Sequence, residues 1–271
     1  MSMFGLSNRS FILFKPAFDH NMFSFLNERR IFEGTPPSSM FRILEALLKI
    51  KILSGTLGFL EFIFGFLLAL QIPVYKDLVY MLIKQWPGLP SFLGMYLRAV
   101  YYKRRVANME PNVFIDENVT LGHPDNYTLR EFCYIDKNVS IMSDVCTIGR
   151  RVHIAPNNFV SGGGSFKIDD YAGIATGCNI ITATAILDGG ARCSGPMASP
   201  NQMKLLSSGV HIGKDAFVCS GVTLLNGVVV APGSVVGAGV ILGASTDPWG
   251  VYVGSRPFKL KEREVVKHLD N

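Results

Sequence analysis

The sequence predicts a mainly-β protein: a coil of short strands that turns every six residues, preceded by an α-helical, apolar and basic region and followed by a short helix. Three observations predict it. After residue 211 branched apolar residues stand six apart at Ile212, Val218, Leu224, Val230, Val236 and Leu242, with Ala216, Val222, Val228, Ser234, Val240 and Thr246 four after each. The next position is often Gly, Asp or Ala, as at Asp116, Asp136, Gly149, Ala155, Gly213 and Gly237. Turn-tolerant residues at that fixed offset put a corner in every hexad, so three short strands make one coil, whereas plain strand alternation would not require them. Finally, residues 1–110 hold 13 Lys and Arg against 7 Asp and Glu, and residues 111–271 hold 13 against 14, so the basic excess lies ahead of the repeat.

With 48% hydrophobic residues, 17% charged and a mean hydropathy of +0.28, the 271-residue chain has ample material for a core, which excludes a disordered tail protein. Its 27 Gly and 14 Pro argue that the apolar content is not all helix. The net charge of +5 is too mild and too interleaved with Phe and Leu for a nucleic-acid footprint, and an acidic membrane surface is the better candidate partner. Cys133, Cys146, Cys178, Cys193 and Cys219 include no CxxC pair and read as reduced, cytoplasmic thiols.

In chain order, residues 1–34 scatter Arg9, Lys15, Asp19, Arg29 and Arg30 among apolar residues, so no signal peptide opens the chain and the protein is expected to stay inside the cell. Pro36, Pro37, Ser38 and Ser39 form a start signal for an amphipathic helix over 41–52, in which Phe41, Leu44, Leu47 and Leu48 recur at helical spacing. Charges then almost stop: between Lys51 and Lys76 only Glu61 is charged, and 52–70 approaches the length of a membrane span. Three readings fit this stretch: a span, an interfacial or re-entrant helix flanked by Lys49, Lys51, Lys76 and Lys84, or a helix buried against the rest of the protein or another subunit. Pro87, Gly88 and Pro90 break the helix, and the aromatic-basic run 101–105 suits an interface or a helix leading into the next domain.

Earlier hexads begin at Ile115, Leu121, Leu129, Ile135, Ile141 and Ile148, then at Ile154, Val160, Ile168, Ile174 and Ile180. Counting three faces per coil puts the interruption 182–210, the run Gly162-Gly163-Gly164 and the connection from His123 to Asn126 at one corner, with His153 near a neighbouring corner. Glycines at that corner let the extruded loop or a ligand approach the backbone closely. A loop this long in a compact domain usually has a job. The division expected is 1–110 helical, membrane-associating or oligomerising; 111–254 coil, with the loop 182–210 extruded; and 255–271 a basic C-terminal helix.

These residues resemble the hexapeptide-repeat family, over about residues 112–263. The resemblance implies a left-handed parallel β-helix of triangular section, against the usual handedness of crossovers. Residues 232–239, followed by 247–254 and by Lys259, Lys261 and Arg263, look like the coenzyme-A end of sugar O- and N-acetyltransferases. His153-Ile154-Ala155-Pro156, the Gly162 run, Ser194-Gly195-Pro196 and Asn201-Gln202, with the lead-in 93–98, look like the branch that acetylates surface polysaccharides or their nucleotide-sugar precursors.

What the resemblance implies is an acetyl-coenzyme-A-dependent O-acetyltransferase, a homotrimer with its site between subunits, acting on a sugar or glycan acceptor at the inner face of the cytoplasmic membrane, with residues 41–105 toward the membrane. The chemistry requires a base for the acceptor and stabilisation of a tetrahedral oxyanion, and neutral His is the base of choice at cytoplasmic pH. Galactoside-type relatives place a His just after the strand that Ile180 begins; this chain has Thr182-Ala183-Thr184-Ala185 there. His20 and His268 lie outside the coil, which leaves His153 as the expected base, His123 as runner-up and His211, at the outgoing end of the loop, behind them. Coenzyme-A contacts carried over by motif are Ser220, the Ala238 backbone, Trp249, Lys259, Lys261 and Arg263, the last three against phosphates. Gly162, Gly163 and Asn201 are the acceptor-side candidates. Where relatives carry Thr-Lys before the Pro-Trp stretch, this chain has Gly243-Ala244, which weakens the adenylate end or shifts it to the C-terminal basic residues. The bland readings are a solvated C-terminal helix and, for Trp249, a cap on the coil. No metal is expected, since no two histidines are spaced as His-x4-His. An N-acetyltransferase on an amino-sugar nucleotide and a non-catalytic β-helix subunit are the alternatives.

Overall fold

The computed structural model describes residues 51–68, 70, 72, 74–85, 91–186, 197, 203–254 and 258–262. The expected helix over 41–52 lies outside these residues except for its last two, which open the first described helix, α1 (Lys51–Leu68). Helices α2 (Tyr75–Gln85) and α3 (Ser91–Lys103) follow.

From Asn108 the chain winds into a parallel β-solenoid with three faces of short strands. The first face runs from Asn108–Met109 through Val145–Ile148, Ser165–Ile168 and Val210–Ile212 to Val229–Val230. The second runs from Phe114–Ile115 through His153–Ile154 and Phe217–Val218 to Val235–Val236 and Gly250–Val253, and the third from Thr120–Leu121 through Phe159–Val160 to Ile241–Leu242. Each strand pairs in register with those one coil below and above, so Ile154 stacks between Ile135 and Ile174.

Branched side chains at the hexad-leading positions point inward for a simple reason: strands of two or three residues present alternate residues to the two sides, and only one side is closed to water. Ile115, Ile135, Ile154, Val160, Ile212 and Val236 are each 0% exposed. Burying one such side chain contributes about 1.5–3 kcal/mol. The hexad register read from the sequence is therefore the register of the core.

Corners demand left-handed backbone. At the corner between second and third faces, Asn118, Asn138 and Asn157 take φ of 56°, 59° and 61°. Asparagine tolerates this region because its short polar side chain bonds locally. Here the side chains also bond one another: Asn118 Nδ2 donates to Asn138 Oδ1 at 2.8 Å, and Asn138 Nδ2 to Asn157 Oδ1 at 3.0 Å.

The first coil would otherwise expose an open end, and α3 covers it. Arg98, 3% exposed, donates from Nε to the Ile115 carbonyl at 2.9 Å and faces Asp116 Oδ1 at 3.5 Å. Burial lowers the Arg98 pKa, and the charge of Asp116 opposes that shift. Tyr102 donates its hydroxyl to the Val119 carbonyl at 3.2 Å. α1 lies on α3 through buried Gly65, where a Cβ would meet Val100 at 3.4 Å, and α2 joins through buried Val79. Of the stretch 52–70, residues 52–68 thus form a helix with one side packed. Among the described residues no helix is long and apolar enough to cross a membrane.

The C-terminal expectation is corrected. Phe258–Glu262 is a strand, not a helix, paired antiparallel with Gly250–Val253. The alternation Phe258-Lys259-Leu260-Lys261 has the period of two that suits an edge strand, and the basic residues that suggested a solvated helix fit it equally well. Arg263 and the rest of the tail lie outside the described residues.

Asn138→Ala is expected to cost about 1–2 kcal/mol in urea unfolding, because alanine keeps the Cβ in left-handed backbone but loses the polar group that offsets it, and Asn138→Gly, with no Cβ, to cost clearly less.

Candidate active site

The loop 182–210, the glycine run and the His123 connection do share a corner, the one leading from third to first face. They follow, respectively, the third-face strands Asn179–Ile180, Phe159–Val160 and Thr120–Leu121. The root of the loop is a two-stranded ribbon, with Ala183–Ala185 antiparallel to Leu205–Ser207. Buried Thr182 holds it, its amide donating to Ser161 Oγ at 2.9 Å and its hydroxyl to the Ser161 carbonyl at 2.8 Å. The glycines make room for this root: a Cβ at Gly163 (φ 77°) would come within 2.9 Å of the Ala183 Cβ, and one at Gly164 (φ 63°) would overlap the Thr182 carbonyl. Gly162 is more open, its nearest neighbour being the Met142 carbonyl at 3.6 Å. Asn201, Ser194 and Cys193 lie outside the described residues.

Every histidine in the solenoid faces an aspartate. His153 stands outward on the second face, half-exposed, with Nε2 3.4 Å from Asp136 Oδ2. Its ring stacks on Tyr134, with centroids 5.1 Å apart and planes 8° from parallel, and Tyr134 donates its hydroxyl to Asp116 Oδ2 at 2.9 Å. Burial first, and then the Asp116 contact, push the Tyr134 pKa upward, so this phenol stays protonated. One coil above His153 the outward position is Gly173, and the half-exposed Phe217 leans over it: a Cβ there would meet the Phe217 ring at 3.1 Å. The outward ladder Tyr134, His153, Gly173, Phe217 therefore lets the phenyl ring lie over the glycine, one coil above the imidazole.

The same face turns at the corner that carries Ser220 and Ala238. These two expected coenzyme-A contacts are stacked, the Gly239 amide donating to the Ser220 carbonyl at 3.0 Å, and both are exposed. The edge beside them is bare: a Cβ at Gly239 would meet nothing within 4 Å. Ser220 lies two coils above His153, roughly 10 Å along the axis at about 4.8 Å per coil. Lys259 is exposed at the top of this face, opposite Tyr252, and Lys261 lies in the same strand.

Trp249 is elsewhere. Its amide donates to the Pro232 carbonyl at 3.0 Å and its ring covers Gly233, at the corner from first to second face. Within one chain it is a cap on the coil and does not meet Ser220 or Ala238.

The tightest histidine pair is the one ranked behind the others. His211 Nε2 lies 2.7 Å from Asp169 Oδ2, and Lys167 Nζ lies 3.0 Å from Asp169 Oδ1, on the first face beside the foot of the loop. Partial burial works to raise the Asp169 pKa, but the hydrogen bonds and charges of His211 and Lys167 outweigh it and hold it below its ordinary value. His123 is more loosely placed, 3.9 Å from Asp144 with both side chains exposed. Sequence reading missed Tyr134, Asp136, Gly173 and Phe217. The signal was there: three of the four are the outward residue just before a hexad-leading aliphatic, and Asp136 is the residue just after one. Among the described residues Cys133, Cys146, Cys178 and Cys219 are free thiols, and no group of three or more His, Cys, Asp or Glu side chains converges as a metal site would require.

No protein-family model and no curated protein matches the chain. Solved structures do, among them hexapeptide-repeat acyltransferases, whose fold this parallel solenoid resembles. A serine-to-alanine variant of AntD, an N-acyltransferase from Bacillus cereus in complex with dTDP-4-amino-4,6-dideoxyglucose and coenzyme A, is similar with a TM-score of 0.52 and 25% identity, over 60% of this chain and 87% of that one. An aspartate-to-alanine variant of the same enzyme with dTDP and coenzyme A gives 0.50 and 25%, over 59% and 85%. A maltose O-acetyltransferase from Clostridium difficile 630 gives 0.44 and 16%, over 70% and 86%.

Because the folded Asp169 pKa is depressed, its contacts stabilise the fold fully above the unfolded carboxylate value of 3.8, and that contribution is lost as pH falls through the lower folded value. Asp169→Asn should therefore lower the melting temperature near neutral pH and narrow its gap to wild type as the pH is taken well below 3.8, measured by thermal unfolding across the acid range.

Proposed function

We propose that the chain is an acyl-coenzyme-A-dependent sugar acyltransferase, and that its acceptor atom is a hydroxyl of a cell-surface polysaccharide, lipid-linked glycan or nucleotide-sugar precursor. The observation that carries the class is the likeness, over 60% of the chain, to an N-acyltransferase bound to a nucleotide-linked sugar and coenzyme A. The acyl group in this reading is acetyl and the donor's source is the cytoplasm.

The hydroxyl reading rests on the base. A sugar hydroxyl must lose its proton as it attacks, whereas a neutral amine attacks first and sheds its proton afterwards. With Nε2–H of His153 directed at Asp136, Nδ1 is free to take the acceptor proton, and the stacked Tyr134 ring fixes the imidazole plane. The oxygen then bonds to the thioester carbonyl carbon, the carbon–sulfur bond breaks as the tetrahedral intermediate collapses, and the thiolate takes up the proton. The donor's arm would run down the bare edge by Ser220 and Ala238 toward His153, with its phosphates at the end of the coil that carries Lys259 and Lys261, and with Arg263 as the third phosphate contact that the motif suggests. Gly162, Gly163 and the root of the extruded loop stand on another corner, so the acceptor site would be completed by a neighbouring subunit of a homotrimer, with Asn201 of the loop as a further acceptor contact. A second reading, transfer to a sugar amine, is favoured by the AntD likeness itself.

His153→Ala separates the two. With a hydroxyl acceptor, thiol release from acetyl-coenzyme A in the presence of a glycan panel should fall by about 10²–10⁴-fold. A variant that keeps near-wild-type turnover on an amino-sugar nucleotide would establish the amine reading instead. No thiol release with any acceptor, together with no thermal shift by coenzyme A, would leave a structural β-helix.

A further inference from the structure

Eleven of the 21 large apolar side chains exposed among the described residues fall within residues 59–82, in α1, α2 and the connection between them. On α1, Phe59, Leu60, Ile63, Phe64, Phe66 and Leu67 are 38–55% exposed. At about 100° per residue these six share one continuous sector, while Gly65, which packs on α3, points away from it. α2 continues the surface with Leu78, Met81 and Leu82, at 41–50%, and the connection between the helices adds Ile72 and Val74. Contiguous exposed apolar surface of this kind marks an interaction site.

We propose that this face seats on the surface of an anionic lipid bilayer, with α1 and α2 lying in the plane of the interface and the solenoid standing on them by its first coil. Two further observations choose the occupant. Among the described residues no helix is long and apolar enough to cross, so the apolar sector serves an interface rather than a span. Charge is the second: residues 51–110 carry seven Lys and Arg against three Asp and Glu. Lys51, Lys76 and Lys84 sit on the two helices that carry the sector, and exposed Arg104 lies over the Phe62 ring at 5.0 Å. A basic excess in the segment that carries the apolar sector matches anionic headgroups, which attract it on approach while the sector enters the acyl boundary. A proton-relay or metal role is foreign to such a face, which has only hydrocarbon to offer. The proposal does not rest on the acyltransferase reading, and its test does not read activity.

The full chain is sedimented with vesicles of phosphatidylcholine containing phosphatidylglycerol and with vesicles of phosphatidylcholine alone, at low and high salt. Leu60→Ser/Ile63→Ser/Leu67→Ser changes only solvent-facing positions, and its melting curve reports that the fold persists. Wild type should co-sediment with the anionic vesicles, and its partitioning should fall by about tenfold or more without phosphatidylglycerol, at high salt, or in the triple variant. Wild type that remains in the supernatant with both vesicles overturns the proposal, as does a folded triple variant that binds as wild type does. Sector-dependent self-association without vesicle binding, seen in sedimentation velocity, overturns it in favour of a second copy.

Discussion

In-register stacking of parallel coils is the constraint on which the rest depends. Each strand of two or three residues takes its hydrogen bonds from the coils below and above, so no strand can slip without carrying its inward aliphatic out of the core. Variation is therefore confined to the corners. The long loop shows how strictly: Ile180 still pairs with Leu224 across it, and Phe166 with Val210. A long segment is inserted at a corner while the faces on either side keep their geometry.

A stack has two ends, and an open end exposes unpaired backbone. Below, α3 closes it through Arg98, a buried cation held on the Ile115 carbonyl and Asp116. Above, the antiparallel strand Phe258–Glu262 covers Gly250–Val253, while Tyr252 takes the Asp247 amide on its hydroxyl at 2.7 Å. The lower closure has a physical side effect. Helices that pack on α3 need only one buried side, and in this chain their other side is apolar as well.

The repeat was legible because its signal is chemical and periodic: branched aliphatics inward and turn-tolerant residues one step later. Ile115 through Leu242 occupy the core as the hexads require. What the period does not encode is which outward residues meet. His211 and Asp169 are 42 positions apart and lie on either side of the loop, yet coil stacking brings them to 2.7 Å. His153 and Asp136, 17 apart, meet for the same reason. Ranking histidines by motif therefore could not weigh their carboxylates. The C-terminal segment failed for another cause: lysines alternating with Phe258 and Leu260 are compatible with a helix read alone, and only the open edge of Gly250–Val253 makes them a strand. Trp249 reads equally as cap or channel from its motif, and within one chain its ring lies over Gly233, a surface without a Cβ.

In the proposed function, fold and chemistry join on the second face, where the Tyr134 ring stacks on His153 and Ser220 and Ala238 mark the neighbouring edge. The most direct measurement is a structure of the full chain with coenzyme A and a dTDP-linked sugar. The account predicts the coenzyme-A arm along the Ser220–Ala238 edge, its sulfur toward His153 and the sugar within hydrogen-bond reach of His153. Coenzyme A bound along the corner of Trp249, or a sugar held by His211 and Asp169 with His153 bare, would contradict it.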